Sequence, residues 1–268
     1  MVSSPPLVLI HGTNAGPWTL QNFTDFFTEH GFDCHTPAYR HHPVTTAKTT
    51  ESDKLIDVSI ADYVEDVEKV VRELDEKPIL IGHSLGGVVA QILAAKGLAA
   101  GVILLNGSVV NGTLPTTDEE RNLFKAFISA GPFWEGTLLP DFEVMSKYGL
   151  NMQNERDRRA IFDRLGPESG RVLFELFFWM YDINKTTKID FEAVECPLLF
   201  ISGTEDLAIP PSTSRTIAAK YGDKATFYEA QGFGHYLMAE KHWRRIADIC
   251  LHWIWQKQLG DVLNVIVD

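Results

Sequence analysis

The pentapeptide Gly82-His83-Ser84-Leu85-Gly86, with Gly87 behind it, constrains this chain more than any other stretch. It follows the short apolar run Ile79-Leu80-Ile81 and opens the small-residue stretch Leu85 to Lys96. The run reads as a buried strand, and the stretch as a helix able to lie close against a sheet. Glycines stand two residues to either side of the serine. A sharp strand-to-helix turn needs them there, because neighbouring backbone must pass where side chains would otherwise stand. Such a turn lifts the Ser84 hydroxyl out of the sheet. It also sets the Leu85 N–H, at a helix start, where a negatively charged oxygen would form.

The rest of the chain repeats the rhythm of that turn. Short apolar runs alternate with longer amphipathic stretches, as in a parallel sheet covered by helices on both faces. Strands are expected over Leu7–Ile10, Phe32–Tyr39, Ile79–Ile81, Val102–Leu105, Leu198–Ile201 and Thr226–Glu229. Helices are expected over Trp18–His30, Ile60–Leu74, Leu85–Lys96, Pro211–Tyr221 and Glu240 to about Leu259, with Arg40–Ser59 as a polar loop. Between Val109 and Asp190 there are helical stretches but no convincing strand. The expected architecture is an α/β core, residues 1–108 and 191–268, with a mostly parallel sheet and a helical cap, 109–190, inserted after the fourth strand.

Composition narrows the class. A chain of 268 residues with 45% apolar and 22% charged residues can bury a large core. Its net charge of -12 argues against nucleic acid and anionic membranes as partners. Cys34, Cys196 and Cys250 are odd in number and far apart, which predicts neither a disulfide framework nor a zinc site. Met1–Pro6 lacks the basic start and apolar core of a secretory leader, and Leu7–Ile10 is too short to span a bilayer. A cytoplasmic protein without metal or organic cofactor is expected. Oligomeric state is not readable.

A serine hydroxyl becomes a useful nucleophile only when a base takes its proton. Of the nine histidines, His235 has the right setting, in Gln231-Gly232-Phe233-Gly234-His235 between the last strand and the last helix. A glycine-rich loop there can present an imidazole to Ser84. His83 reads as a packing or hydrogen-bonding residue and His11 as a support for the turn at Gly12. His30, His242 and His252 fall on expected helices. His35, His41 and His42 lie near one another but no acidic cluster joins them. The base needs an acid to hold its tautomer. Asp206, in Ser202-Gly203-Thr204-Glu205-Asp206 after a strand, is favoured over its rival Glu205. The loop after the fourth strand, Asn106-Gly107-Ser108, offers no carboxylate. The order Ser84, Asp206, His235 is the one expected when a nucleophile elbow precedes its partners. A second oxyanion donor should come from His11-Gly12-Thr13 after the first strand, and the Thr13 N–H is the candidate beside that of Leu85.

On these segments the chain resembles the α/β-hydrolase superfamily over nearly its whole length. Its start at the His11-Gly12 strand is similar to the compact esterase and hydroxynitrile-lyase branch. The resemblance implies Ser84, Asp206 and His235 as a triad, and Thr13 and Leu85 as oxyanion donors. Plant-type hydroxynitrile lyases have a threonine where Gly12 stands and a lysine where Tyr236 stands. Both departures favour ester hydrolysis over cyanohydrin cleavage.

The cap carries the substrate question. Val172 to Tyr181 is its most apolar segment and, with Phe133 and Trp134, could line a pocket over Ser84. The candidate substrate-binding residues are Gly12, Asn14, Leu207 and Tyr236 from the core and Trp134, Phe178 and Tyr181 from the cap. They imply a small hydrophobic substrate, an ester or lactone cleaved through an acyl-enzyme. The same fold could instead serve carbon–carbon cleavage, cofactor-free oxygenation or perhydrolysis, or hold a small ligand without turnover.

Overall fold

The computed structural model describes residues 4–43, 52–257 and 259. Its strands are β1 (Leu7–Ile10), β2 (Cys34–His35), β3 (Ile79–His83), β4 (Gly101–Leu105), β5 (Thr137–Leu138), β6 (Glu168–Ser169), β7 (Leu198–Gly203) and β8 (Ala225–Ala230). Its helices are α1 (Gln21–Glu29), α2 (Ile60–Arg72), α3 (Leu85–Ala95), α4 (Asp118–Ser129), α5 (Phe142–Val144), α6 (Glu155–Phe162), α7 (Gly170–Phe177), α8 (Pro211–Ala218) and α9 (Trp243–Gln256).

Six strands form one sheet in the order β2-β1-β3-β4-β7-β8, and every pairing in it is parallel. The alternation of side chains explains why the apolar runs are unbroken. Val8, Ile10, Leu80, Val102, Leu104 and Phe200 share one core with residues of α2, α3 and α8. Leu7, Leu9, Ile79, Ile81, Ile103 and Leu105 share another with residues of α1 and α9. Both faces of the four central strands β1, β3, β4 and β7 are buried, so neither can be polar there.

The strand order places the site. From β1 the chain crosses to the edge at β2, then returns to β3 on the other side of β1. The loops leaving β1 and β3 diverge from adjacent strand ends. A crevice opens at such a switch point, outside the carboxyl ends of the strands. The Gly12–Asn14 loop and the Ser84 turn both lie there.

Several elements differ from expectation. The second strand is two residues long instead of Phe32–Tyr39, because it is the sheet edge and Pro37 has no N–H to continue the ladder. The expected loop before α2 contains a 3₁₀ turn, Ser52–Leu55, and its residues 44–51 lie outside the described residues. The helices near Trp18 and Tyr221 are split, with 3₁₀ turns at Pro17–Leu20 and Ala219–Lys224. The last helix starts later, at Trp243. The expected strandless stretch 109–190 holds an antiparallel pair, β5 with β6, matching Thr137 to Ser169 and Leu138 to Glu168. Strands of two residues have no periodicity to read.

That inserted stretch docks on the core through buried polar groups as well as apolar ones. Glu175 of α7 accepts hydrogen bonds from the Ser59 hydroxyl (2.9 Å) and the Ile60 N–H (2.8 Å). It thereby meets the positive end of α2, whose first turn is capped by Ser59 and Asp62. The Ser169 hydroxyl donates to the Val58 carbonyl at 2.7 Å.

Candidate active site

Ser84 sits between β3 and α3 with φ 51° and ψ -119°, a region that a residue with a Cβ enters at a cost of about 1–3 kcal/mol. The surroundings over-determine it. Its N–H donates to Leu105 O (3.2 Å), and its carbonyl accepts from Gly87 N (2.9 Å) and Ser108 N (2.9 Å). The flanking glycines are obligatory. A Cβ on Gly82 would run into the backbone of Gly86 and Gly87, and one on Gly86 into the backbone of Ile10 and His11. Leu85 is the first residue of α3, so its N–H has no partner inside the helix.

His235 and Asp206 come together from loops after β8 and β7. His235 Nδ1 lies 2.8 Å from Asp206 Oδ2. Asp206 Oδ1 accepts from the Ala208 and Ile209 amides at 2.8 and 2.9 Å, so the carboxylate is fixed at both oxygens and buried. Glu205 is exposed and points elsewhere, its carboxylate meeting the Thr204 hydroxyl. Donation from Nδ1 to Asp206 leaves His235 Nε2 as an acceptor.

The histidine loop is clasped from beneath. Asn106, buried and at φ 46°, donates from Nδ2 to Gly234 O (2.7 Å) and His235 O (2.9 Å), while its Oδ1 accepts from Gly203 N (2.8 Å). His83 Nε2 also meets His235 O at 3.0 Å. Burial, and then the neighbouring His235, push the His83 imidazole well below its ordinary range, so it stays neutral. Glu240 accepts from Gly234 N at 3.0 Å. The sequence offers one sign of Asn106, a polar residue directly after a buried strand, which by itself signals only that this loop lacks a carboxylate.

On the other side lies the loop after β1. His11 Nδ1 is 2.9 Å from Gly12 O. Burial, with help from His42, pushes His11 down to about 3, so it is neutral and its Nδ1–H donates. Among the described residues none accepts a hydrogen bond from the Thr13 amide. A Cβ on Gly12 would stand 3.1 Å from Ser84 Cβ and 3.1 Å from His83 Nδ1, so any larger residue crowds the serine.

One cavity of about 160 Å³ joins these parts. Gly12, Thr13, Asn14, Ser84, His235 and Tyr236 line it from the core. Leu123 and Phe127 of α4, Met145 and Tyr148 of a π turn, and Leu173 and Phe177 of α7 line it from the insertion. The pairs 123/127 and 173/177 are four apart and so share a helix face. Trp134, Phe178, Tyr181 and Leu207 do not reach the cavity, contrary to the sequence reading. The reason is rotational. Phe174 and Phe178 lie one position round from Leu173 and Phe177, and they stack on each other at 6.0 Å. The helix then ends at Phe177. Tyr181 beyond it is 68% exposed, and Trp134, packed on Phe174, is 45% exposed.

Among the described residues no three His, Cys, Asp or Glu side chains form a group that could hold a metal ion, and no helix is long and apolar enough to cross a membrane.

No curated protein sequence matches the chain. Solved structures resemble it throughout. An extracellular alpha/beta-hydrolase from a Paenibacillus species is 20% identical, with a TM-score of 0.70 over 92% of this chain and 98% of its own. An Arabidopsis methylesterase is 17% identical, at 0.70 over 94% and 99%. Tomato methylketone synthase I, bound to 2-tridecanone, is 16% identical, at 0.74 over 96% and 100%. At such identities the likeness is one of fold. The sequence itself matches the alpha/beta hydrolase family over residues 7–249, and the chain belongs to that family.

Proposed function

We propose that the protein is a serine hydrolase of small, uncharged, hydrophobic carboxylic esters or lactones. The observation that carries this reading is that Ser84, on its strained turn, shares a cavity with His235, whose Nδ1 is 2.8 Å from the buried Asp206. His235 Nε2 takes the Ser84 proton as Oγ bonds to the substrate carbonyl carbon. The carbonyl oxygen becomes an oxyanion between the Thr13 and Leu85 amides. His235 then gives the proton to the departing alkoxide as the ester C–O bond breaks. Water, deprotonated by the same nitrogen, attacks the acyl-enzyme and releases the acid.

The lining supports this substrate class. Apolar side chains from α4, α7 and the π turn dominate it, and among the described residues no lysine or arginine lines it to take a carboxylate. A cavity of about 160 Å³ is smaller than the roughly 300–1,000 Å³ of drug-sized sites, which favours short acyl groups. Methylesterase activity in a structural neighbour is compatible with this size.

The test is turnover of p-nitrophenyl esters. Ser84→Ala should lower kcat by about a thousandfold or more. Undiminished turnover in the variant would defeat the assignment. Rates should also fall as the acyl chain is lengthened from butyrate to palmitate.

A further inference from the structure

The Thr13 amide can stabilise an oxyanion only if its direction is held. Each peptide unit is a rigid plane, so the N–H direction is set by whatever grips that plane or its neighbours. The plane that carries the Thr13 N–H also carries the Gly12 carbonyl, which accepts from His11 Nδ1 at 2.9 Å. The next plane carries the Thr13 carbonyl and the Asn14 N–H. That N–H donates to Glu168 Oε2 at 3.0 Å.

Glu168 belongs to β6 of the insertion and is entirely buried. Its four near partners come from four places in the chain. Oε1 accepts from the Tyr63 hydroxyl of α2 (2.6 Å) and from the Ser169 N–H (2.9 Å). Oε2 takes Asn14 N–H and lies 3.3 Å from His42 Nε2. Burial pushes this carboxyl up, yet His42, Tyr63 and Asn14 together bring it below its ordinary range, so it is an anion in place. Asn14 is tied to the same insertion by more than this bond. It stands at φ 58°, its Nδ2 donates to Gly166 O (2.9 Å) and its carbonyl accepts from Gly166 N (2.9 Å).

A buried anion costs several kcal/mol unless it is fully paired, and a surface far from the reaction could be covered by apolar residues instead. Here the anion spends one acceptor on a backbone amide next to the proposed oxyanion donor. We propose that Glu168 is a positioning residue, holding the Thr13–Asn14 peptide so that the Thr13 N–H faces the Ser84 carbonyl adduct. This rests on the ester-hydrolase reading above. It makes the insertion part of the catalytic frame as well as the lining of the cavity.

Glu168→Gln keeps the size but loses the charge and one acceptor pair, so the Asn14 N–H and Ser169 N–H cannot both be satisfied. With p-nitrophenyl butyrate, kcat should fall about tenfold to a hundredfold, below the roughly 100- to 1,000-fold cost of losing a donor outright, with KM within about twofold. Affinity for a trifluoromethyl ketone, whose Ser84 adduct carries the oxyanion, should fall in parallel with kcat/KM. Tyr63→Phe removes one donor to Glu168 without touching the loop, and should give a smaller loss in the same direction. Hydrogen exchange at the Asn14 amide should quicken in both variants.

A folded Glu168→Gln protein with unchanged kcat, a change confined to KM, or unaltered ketone affinity would overturn the proposal. If that variant does not fold, the same three readouts on Tyr63→Phe decide it. If instead the wild-type protein turns over no ester and Ser84→Ala changes nothing, the ester-hydrolase reading fails. In that event, Asn14 exchange still tells whether Glu168 holds the loop.

Discussion

His235 and Thr13 line the same cavity but are held from opposite sides. His235 is gripped by the core: Asp206 and Asn106 lie just after β7 and β4, His83 ends β3, and Glu240 follows the same loop. The Thr13 loop is gripped from within by His11 and from the insertion by Glu168 and Gly166. His235 therefore rides on the sheet, whose strands are fixed by their neighbours. The loop across from it depends on a segment that enters the fold between β4 and β7. On the proposed role of Glu168, changes in the insertion alter chemistry as well as specificity.

The largest expected effect comes from breaking the core side. Asn106→Ala strands the Gly203 N–H and removes a donor from both Gly234 O and His235 O. At about 1–3 kcal/mol for each buried group left unsatisfied, the loss should reach about 3 kcal/mol or more. Urea unfolding would read it as a lower midpoint. Glu168→Gln should sharpen the contrast, with turnover falling further than stability.

Phe177→Ala tests the insertion side by volume. Phe177 is nearly buried, lines the cavity and stacks on Phe127 at 5.0 Å. A full core Phe→Ala change costs about 3–5 kcal/mol, and this one should cost less because the cavity already leaves one side of the ring open. The expected loss is about 2 kcal/mol by urea unfolding. The freed space should move the preferred p-nitrophenyl ester toward longer acyl chains.

A smaller effect is pH-dependent and belongs to the core side. Burial pushes the Glu240 carboxyl up to about 7 from an ordinary 4.5. Between those values the folded protein holds more protons than the unfolded chain, so this residue lowers stability as pH rises through that window. Glu240→Gln still accepts from Gly234 N but cannot ionise. Its stability relative to the wild type should be flat below about pH 4.5 and improve up to about pH 7, measured by urea midpoints across the range. The smallest effect is expected for Tyr181→Ala, which is exposed and outside the cavity. Its acyl-chain profile should match the wild type within about twofold, as for other surface substitutions.

What was legible in the sequence was local. The Ser84 turn follows from backbone sterics within five residues, and the four central strands β1, β3, β4 and β7 follow from apolar runs that both faces of a parallel sheet require. The positions of Asp206 and His235 after strands were readable because loops at that edge of a sheet point into one crevice. The strand order and the family match on residues 7–249 agree with that reading of the fold. The lining of the insertion was only half legible. Its apolar segment was visible, but which face of α7 turns inward depends on where the helix starts and ends. Periodicity does not resolve that to one residue, so it points to Phe178 where Phe177 lies. Glu168 was not legible at all, and Asn106 only as a polar residue after a buried strand. Their partners are Asn14, Tyr63, Gly203 and His235, some 97 to 154 residues away in sequence for most of these bonds. A buried carboxylate or amide is worth its desolvation only when such distant groups converge on it. Sequence alone therefore determined that Ser84, Asp206 and His235 would stand at the carboxyl ends of strands. The tertiary structure decided what holds the loop opposite them, because that hold is made of hydrogen bonds between segments that meet only in the folded protein.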